Sequence, residues 1–319
     1  MIVTLTAHPA LDRTVRLDAP LQVGEVQSAR SGREDAAGKG VNVARAVHAA
    51  DHPVVAVLPL DPEDPYGAAL RATHLPVDPV GIRGFVRANL TIVDAVGTTT
   101  KINLPGAPLT EADLAHLIEA TVAASADADW LVLAGSLPPG APDDFYARVI
   151  HAVRASGGAH APRIAVDTSG PALHAVVQDG RPDLIKPNED ELAQLAGVEL
   201  DADTADAAAL VDAVHAIARR LVPERVAAAF VTLGALGAVL VDEHGAWFGA
   251  APRISVRSTV GAGDSSLAGF LLASVRGADP AECVRTGIRY GAAAAALPGT
   301  QPPSPEDLPA GDVPVRELD

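Results

Sequence analysis

The chain from residue 110 to residue 277 alternates short apolar runs with longer segments whose apolar residues recur at the helical period. The short runs are typical of strands buried on both faces of a parallel sheet, and the longer segments are typical of the helices that cover it. The sequence therefore predicts an α/β fold with a mostly parallel central sheet and helices on both faces. Including the flanking regions, the predicted strands are 2–7, 54–60, 130–136, 163–169, 183–188, 227–234, 238–242 and 244–250, and the predicted helices are 36–50 (after a Gly-rich turn), 109–125, 141–157, 189–197, 204–220, 261–277 and 280–297.

Two further segments alternate apolar and polar residues one by one, which is the pattern of half-exposed strands. They predict a small antiparallel β lid, from about 13–35 and 84–104, that stands off the main sheet within a single domain over 1–319. The tail after residue 300 is rich in Pro and acidic residues, and it is predicted to be peripheral.

The overall charge excludes two classes of partner. Forty acidic residues against 24 basic ones give a net charge of −16, which repels nucleic acid and anionic membranes. The single cysteine, Cys283, excludes a disulfide framework and a multi-cysteine zinc site. The amino terminus reads as a buried strand and no apolar run is long enough to span a membrane, so we expect a cytoplasmic protein.

Lysine and asparagine are unusually scarce in this chain, and their positions point to function. The lysines are Lys39, Lys101 and Lys186, and the asparagines are Asn42, Asn89, Asn103 and Asn188. The chain otherwise favours Ala, Arg, Pro, Gly and Asp. Where a residue type suppressed by composition remains, a chemical requirement is a natural explanation, and chance is the alternative.

The segment STVGAGDSSLAGF (258–270) carries the strongest local signal. Gly261 and Gly263 let the backbone approach a ligand, and the amides at the start of the following apolar helix favour an anion. Asp264 in that position can accept a proton from an attacking hydroxyl, and its place at a helix start predicts a low pKa. The alternative is a glycine turn with Asp264 as the helix cap.

Two other segments place polar residues at helix starts. AAGKGVN (36–42) lacks the Gly and the Ser or Thr of a nucleotide-binding P-loop, so it predicts a different polar-ligand site or a plain tight turn. In KPNEDEL (186–192), Asn188 and Glu191 share one helix face, where they could hold the waters of Mg²⁺ or simply cap the helix.

Taken together, these motifs resemble those of the ribokinase-like, PfkB-type carbohydrate kinases. The resemblance covers about residues 12–300 in unbroken order, through the strings AAGKGVNVARA, AGSLPPG, IKPNEDEL, TLGALGA and STVGAGDS. It implies a ribokinase-like fold, ATP and Mg²⁺ as cofactors, and a homodimer that forms through the β lid.

Further strings narrow the resemblance to the phosphosugar branch of that family. HPALD (8–12), VRANL, TTTKINLPG and Ser258 are similar to this branch, and Lys39 with TKIN leans toward the 1-phosphofructokinase type, which converts fructose 1-phosphate to fructose 1,6-bisphosphate. Tagatose-6-phosphate kinase and minor 6-phosphofructokinase remain alternatives. Leu104 departs from the family pattern, because many relatives have an acidic residue after KIN.

The resemblance implies a role for each matched residue. Asp264 would be the catalytic base, and Gly261, Ala262 and Gly263 would form the anion hole. The residues implied to contact the nucleotide are Lys186, Asn188, Thr232, Gly234 and Gly237, with Asn188 and Glu191 organising Mg²⁺. The residues implied to hold the phosphosugar are Asp12, Gly38, Lys39, Asn42, Arg87 and Asn89.

Two other classes of protein deserve comparison. A non-catalytic sugar-phosphate-binding regulator could share this fold, but Asp264 and the whole anion-hole string are retained. A dinucleotide-binding oxidoreductase could share the α/β pattern, but no G-x-G-x-x-G follows the first strand.

Lys39, beside a helix start, suits a phosphate dianion at the end of the sugar remote from the attacking hydroxyl. The alternative is a lysine that points into solvent.

Overall fold

The computed structural model describes residues 1–200 and 207–319. In these residues the strands are β1 Ile2–Leu5, β2 Ala10–Leu17, β3 Ala29–Ala37, β4 Val54–Leu60, β5 Val77–Gly81, β6 Arg87–Val93, β7 Thr99–Leu104, β8 Trp130–Ala134, β9 Arg163–Asp167, β10 Leu184–Ile185, β11 Ala228–Thr232, β12 Gly237–Asp242, β13 Ala246–Ala250 and β14 Val315–Glu317. The α-helices are α1 Lys39–Ala49, α2 Pro65–Arg71, α3 Glu111–Ala124, α4 Phe145–Gly157, α5 Gly170–Ala175, α6 Glu189–Ala196, α7 Ala207–Ala218, α8 Ala262–Val275 and α9 Pro280–Ala296.

All the predicted elements of the main layer are present, although residues 204–206 of one predicted helix lie outside the described residues. The sequence pattern does not predict α2, α5, β5 or β14. The helices α2 and α5 have only 7 and 6 residues, too few for a clear helical period. Pro79 interrupts the strand pattern of β5, which pairs at the edge of the sheet where a proline is tolerated.

The main sheet has ten strands among the described residues, in the order β14-β13-β12-β11-β10-β9-β8-β1-β4-β5. The strands from β11 to β5 run parallel, whereas β12, β13 and β14 form an antiparallel edge. β1 lies between β8 and β4. The next strands in the chain, β4 and β5, extend the sheet on one side of β1, and the later strands from β8 onward extend it on the other side. Ligands of open α/β sheets bind at the carboxyl ends of the strands beside such a point.

Helices cover both faces of this sheet, as predicted. In β8, Leu131 and Leu133 pack into one apolar core with Val149 of α4. Trp130 and Val132 of the same strand face the opposite core, which includes residues of α1 and α8. Successive side chains of a strand point to opposite faces, so an apolar strand of this kind needs cover on both. In the described part of the chain no helix is both long and apolar enough to cross a membrane.

Within the described part of the chain, the second sheet has four strands in the order β3-β2-β6-β7. Its outer pairs are antiparallel as predicted, but the central pair β2/β6 is parallel. The long connection through α1, β4, α2 and β5 allows this, because a parallel pair needs a crossover whereas an antiparallel pair can be joined by a tight turn. One outer edge is exposed, since Ile102 and Leu104 of β7 are each 48% exposed.

The tail lies at the periphery as predicted, but it is an ordered part of the main sheet. The residues of β14 pair with β13 and complete the antiparallel edge of the main sheet. Val313 and Leu318 are buried beside it, at 1% and 8% exposure. The prolines and acidic residues made the segment look irregular, but two apolar side chains and an available strand edge are enough to order it.

Candidate active site

The first turn of α8 lies beside the carboxyl ends of the central strands. Gly261 caps the helix with a positive φ of 78°, which glycine adopts without strain, and Ala262 and Gly263 begin the helix. A Cβ on Gly263 would come within 3.2 Å of the Lys186 ammonium, so the absence of a side chain brings helix amides and a cation together. Asp264 follows in the same turn and is only 7% exposed.

A buried carboxylate that the sequence analysis did not single out joins the two lysines of this site. Asp167 ends β9 and is fully buried. Lys39 Nζ lies 2.7 Å from its Oδ1, and Lys186 Nζ lies 3.1 Å from its Oδ2. The signal that could have found it is an acidic residue at the carboxyl end of a buried parallel strand, where ligand-binding residues collect. Lys39 therefore does not simply point into solvent.

The two buried aspartates have pKa values shifted in opposite directions. Burial pushes the pKa of Asp167 upward, but Lys186 and Lys39 outweigh it and hold that pKa below its ordinary value. Burial, together with the nearby charge of Asp167, raises the pKa of Asp264 to about 6. The expectation of a low pKa for Asp264 is therefore wrong, because desolvation and the charge of Asp167 outweigh the two lysines.

The start of α1 is pressed against the end of β1. A Cβ on Gly40 would lie 2.4 Å from Thr6 Oγ1 and 3.0 Å from the Leu5 carbonyl oxygen, so only glycine permits this approach. Asn42, on the same turn, donates a hydrogen bond from Nδ2 to Asp264 Oδ2 over 2.8 Å. The glycines around Lys39 thus have a structural role, because they let α1 begin close to the end of β1. This approach brings polar side chains of α1 to the first turn of α8.

A second polar group lies between β2 and β6. Asp12 and Asn89 are partners in the parallel register, and Asn89 Nδ2 donates to Asp12 Oδ1 over 2.8 Å. Burial raises the pKa of Asp12, although Asn89 and Arg87 oppose the shift. Burial and Arg87 lower the pKa of His8 to about 4, so this imidazole is neutral near pH 7. His8 was not predicted as a site residue; its Nδ1 lies 3.2 Å from Ser136 Oγ.

The remaining predicted residues lie around the start of α6. Asn188 and Glu191 form a reciprocal capping box, in which Asn188 Oδ1 accepts from the Glu191 amide and Glu191 Oε2 accepts from the Asn188 amide. Thr232 pairs with Asn188 in an isolated β-bridge. Gly234 lies between Thr232 and β12, and Gly237 is the first residue of β12. The capping alternative is thus present, and it leaves Glu191 Oε1 outside the box.

Electrostatic contacts connect these groups. Burial lowers the pKa of Lys39, but Asp167, Asp264 and Glu191 outweigh it and raise the pKa above its ordinary value. The amide of Gly135, next to Ser136, donates to the Asp167 carbonyl oxygen over 2.9 Å. Lys39 therefore lies among carboxylates from α6, α8 and β9.

Leu104 of β7, the residue that departs from the family pattern, pairs with Ala88 of β6 in the four-stranded sheet, next to Asn89.

The model of the family described as "pfkB family carbohydrate kinase" matches residues 9–307. The chain belongs to this family. The resemblance inferred from the motifs and the predicted ribokinase-like fold are thereby confirmed.

Several curated relatives of this pfkB family member are similar over nearly their whole length. The 1-phosphofructokinase of Rhodobacter capsulatus is 35% identical over 316 residues, which cover 97% of this chain and 95% of the relative. That of Haloferax volcanii is 34% identical over 97% of this chain and 95% of its own. The ATP-dependent 6-phosphofructokinase isozyme 2 of Escherichia coli is 32% identical over 96% of both chains.

Solved structures agree with these relatives. The crystal structure of phosphofructokinase-2 from Escherichia coli in complex with potassium superposes with a TM-score of 0.85 at 30% identity, covering 96% of both chains. The same enzyme in complex with substrates and products gives a TM-score of 0.83 at 30% identity and the same coverage. Ribokinase from Thermotoga maritima, at 21% identity and a TM-score of 0.74, shares the fold.

Proposed function

We propose that this protein transfers the γ-phosphoryl group of ATP to a hydroxyl of a phosphosugar, with fructose 1-phosphate as the acceptor and fructose 1,6-bisphosphate as the product. One observation carries the proposal. A buried carboxylate with a raised pKa, Asp264, stands on the first turn of α8 beside the lysine pair held by Asp167. A proton acceptor next to cations and helix amides is what phosphoryl transfer to a hydroxyl requires.

In this proposal Asp264 takes the proton of the attacking hydroxyl as the new P–O bond forms and the bond to the ADP oxygen breaks. A pKa of about 6 leaves the carboxylate ionised at neutral pH and makes it a better base than an ordinary aspartate. The amides of Gly261, Ala262 and Gly263 stabilise the transferring phosphoryl oxygens. Lys186 and Lys39 neutralise phosphate charge, and Asp167 keeps both ammonium groups in position before the substrates arrive.

The nucleotide site is proposed to comprise Lys186, Asn188, Thr232, Gly234 and Gly237, the residues matched by the family motifs. The remaining oxygen of Glu191 fits Mg²⁺ held mainly by ATP phosphates and water, as few protein ligands are usual for this ion. In the described residues no group of three or more His, Cys, Asp or Glu side chains could hold a metal alone, which agrees with a cation bound together with ATP. When bound, Mg²⁺ would offset the charge of the β- and γ-phosphates.

The phosphosugar is proposed to bind between the second sheet and α1, on Asp12, Gly38, Lys39, Asn42, Arg87 and Asn89. Arg87 and Asn89 lie two positions apart on β6 and therefore on one face, with Asp12 opposite. Relatives named 1-phosphofructokinase at 34–35% identity favour fructose 1-phosphate. The 6-phosphofructokinase isozyme 2 structures make fructose 6-phosphate the second candidate. Tagatose 6-phosphate completes the set to be tested.

A coupled assay for ADP formation across these phosphosugars and free fructose tests the proposal. We expect the highest kcat/KM with fructose 1-phosphate and poor turnover of free fructose, because Lys39 and Arg87 offer cations to a substrate phosphate. Free fructose or a nucleoside turning over as fast as fructose 1-phosphate would overturn the phosphosugar assignment. Turnover in Asp264→Asn close to that of the unaltered protein would remove the assigned base.

We further propose a cytoplasmic homodimer, formed through the lid, which is the four-stranded sheet β3-β2-β6-β7. The exposed apolar side chains Ile102 and Leu104 and the open edge strands of this sheet support a covering partner. Light scattering at micromolar concentration should give twice the monomer mass of 32.5 kDa. A strict monomer with full activity would contradict this assignment.

A further inference from the structure

Asn42 holds the carboxylate that we propose as the base, in addition to any contact it makes with the sugar. Its Nδ2 donates to Asp264 Oδ2 over 2.8 Å, across the interface between α1 and α8. The amide oxygen of the Asn42 side chain is buried and receives no hydrogen bond from residues 1–200 or 207–319. The contact with Asp264 therefore decides which way the amide faces, and it turns the nitrogen, a donor, toward the carboxylate.

The backbone around Asn42 leaves this side chain little freedom to move away. Gly40 lies so close to Thr6 and Leu5 that a Cβ on it would clash with both. The backbone N–H of Asn42 donates a hydrogen bond to the Gly38 carbonyl oxygen over 2.8 Å. On the other side, α9 lies directly against the first turn of α8, where a Cβ on Gly291 would be 3.2 Å from the Ala262 carbonyl oxygen. Both ends of the hydrogen bond thus rest on packed backbone.

We propose that Asn42 is a positioning residue that keeps Asp264 ionised and directs its other carboxylate oxygen toward the acceptor hydroxyl. This inference rests on the proposed kinase function. A donor facing a carboxylate stabilises its charged form, whereas protonation would remove part of that stabilisation. With Oδ2 held by Asn42, Oδ1 is the oxygen left to receive the proton. A residue that only bound sugar would change the KM for sugar without changing the ionisation of Asp264.

The charged groups that act on Asp264 come from three elements. Asp167 at the end of β9 opposes ionisation, whereas Lys39 on α1 and Lys186 after β10 favour it. From α9, the uncharged residue Gly291 lies against Ala262 in the first turn of α8. Asn42 is the uncharged member of this set, so it can be replaced by an apolar residue without changing the net charge of the site.

The test compares the unaltered enzyme with Asn42→Leu and Asn42→Asp. Leucine has a similar size and cannot donate, so the pKa of Asp264 should rise by on the order of one unit. The acid limb of the kcat profile should move up equally, so the ratio of kcat in the unaltered enzyme to kcat in Asn42→Leu should be about tenfold larger near pH 5.5 than above about pH 8, where only the loss of positioning remains. Asn42→Asp places a like charge beside Asp264 and should move the limb further.

Asn89→Leu is the matched control, because Asn89 also donates from Nδ2 to a carboxylate, that of Asp12, over 2.8 Å. It should raise the KM for the phosphosugar and leave the acid limb of kcat in place. Equal acid limbs in the unaltered enzyme, Asn42→Leu and Asn42→Asp, with kcat lowered by one factor at every pH, would overturn the proposal. Circular dichroism of each variant identifies one that has failed to fold.

A measurement without turnover separates this inference from the proposed function. Carboxyl ¹³C NMR of the substrate-free protein, with the Asp264 signal assigned by its loss in Asp264→Asn, gives the pKa directly. A higher Asp264 pKa in Asn42→Leu than in the unaltered protein supports the inference even if the sugar proves to be a different one. An unchanged Asp264 pKa overturns it even in an enzyme that phosphorylates fructose 1-phosphate as proposed.

Discussion

Replacing Asp264 with asparagine should inactivate the protein and stabilise it. Burial and Asp167 raise the pKa of Asp264 from 3.8 to about 6, a shift of about two units. At about 1.4 kcal/mol per unit, ionising this group costs the folded state about 3 kcal/mol. Asparagine has a similar shape and carries no charge, so it removes that cost, whereas kcat should fall by at least about 100-fold because the proton acceptor is lost.

The sign of the pH dependence follows from the direction of the shift. A raised carboxyl pKa costs nothing while the group is protonated in both the folded and unfolded states, and the full cost appears above the folded pKa. The gain from Asp264→Asn should therefore grow from about 1–2 kcal/mol near pH 5 to about 3 kcal/mol near pH 8. Urea unfolding followed by fluorescence of the buried Trp130 measures it.

Asp167→Asn is the matched control, since it is the same substitution at a neighbouring buried aspartate whose pKa is shifted downward. It leaves Lys186, which is 5% exposed, without its counter-charge, so it should lower the free energy of unfolding by about 3–5 kcal/mol. A depressed carboxyl pKa supplies stability that is lost only below the ordinary pKa, so the loss of the ion pairs is the same at pH 5 and pH 8. Removing the charge of Asp167 also lowers the pKa of Asp264, so the net loss should become smaller as the pH rises from 5 to 8. Equal effects of the two substitutions, or an Asp264→Asn variant less stable near pH 8, would refute the electrostatic reasoning.

Two further substitutions test the start of α1. In steady-state kinetics, Lys39→Ala should raise the KM for the phosphosugar by about tenfold to a hundredfold and leave the KM for ATP nearly unchanged. Because the variant also loses the ion pair with Asp167, its kcat should fall as well. An unaltered KM for the sugar would contradict the role assigned to Lys39. Gly40→Ala should lower both the melting temperature and kcat, because the new methyl group would meet Thr6 Oγ1 at 2.4 Å and push α1 off the end of β1; a variant with unchanged melting temperature would count against this close approach.

Local pattern was sufficient for most of the fold. Parallel strands such as β8 and β9 are buried on both faces, so their apolar runs are continuous and readable without knowledge of their neighbours. Where stability came from pairing with distant strands, the pattern was silent or misleading. The tail is ordered because β13 offers it an open edge, and the β2/β6 pair is parallel because of the path taken by the chain between them.

The candidate site divides in the same way. Asp264 and the glycines before it lie in one short string, so neighbouring residues were enough to predict the roles that we propose for them. Asp167 carries no such local context, and its contacts with Lys39 and Lys186 join residues 128 and 19 positions away in the chain. The pKa of Asp264 was misjudged for the same reason. The helix dipole is a local property that the sequence encodes directly, but desolvation and the charge of a second buried carboxylate arise only when distant segments pack around it.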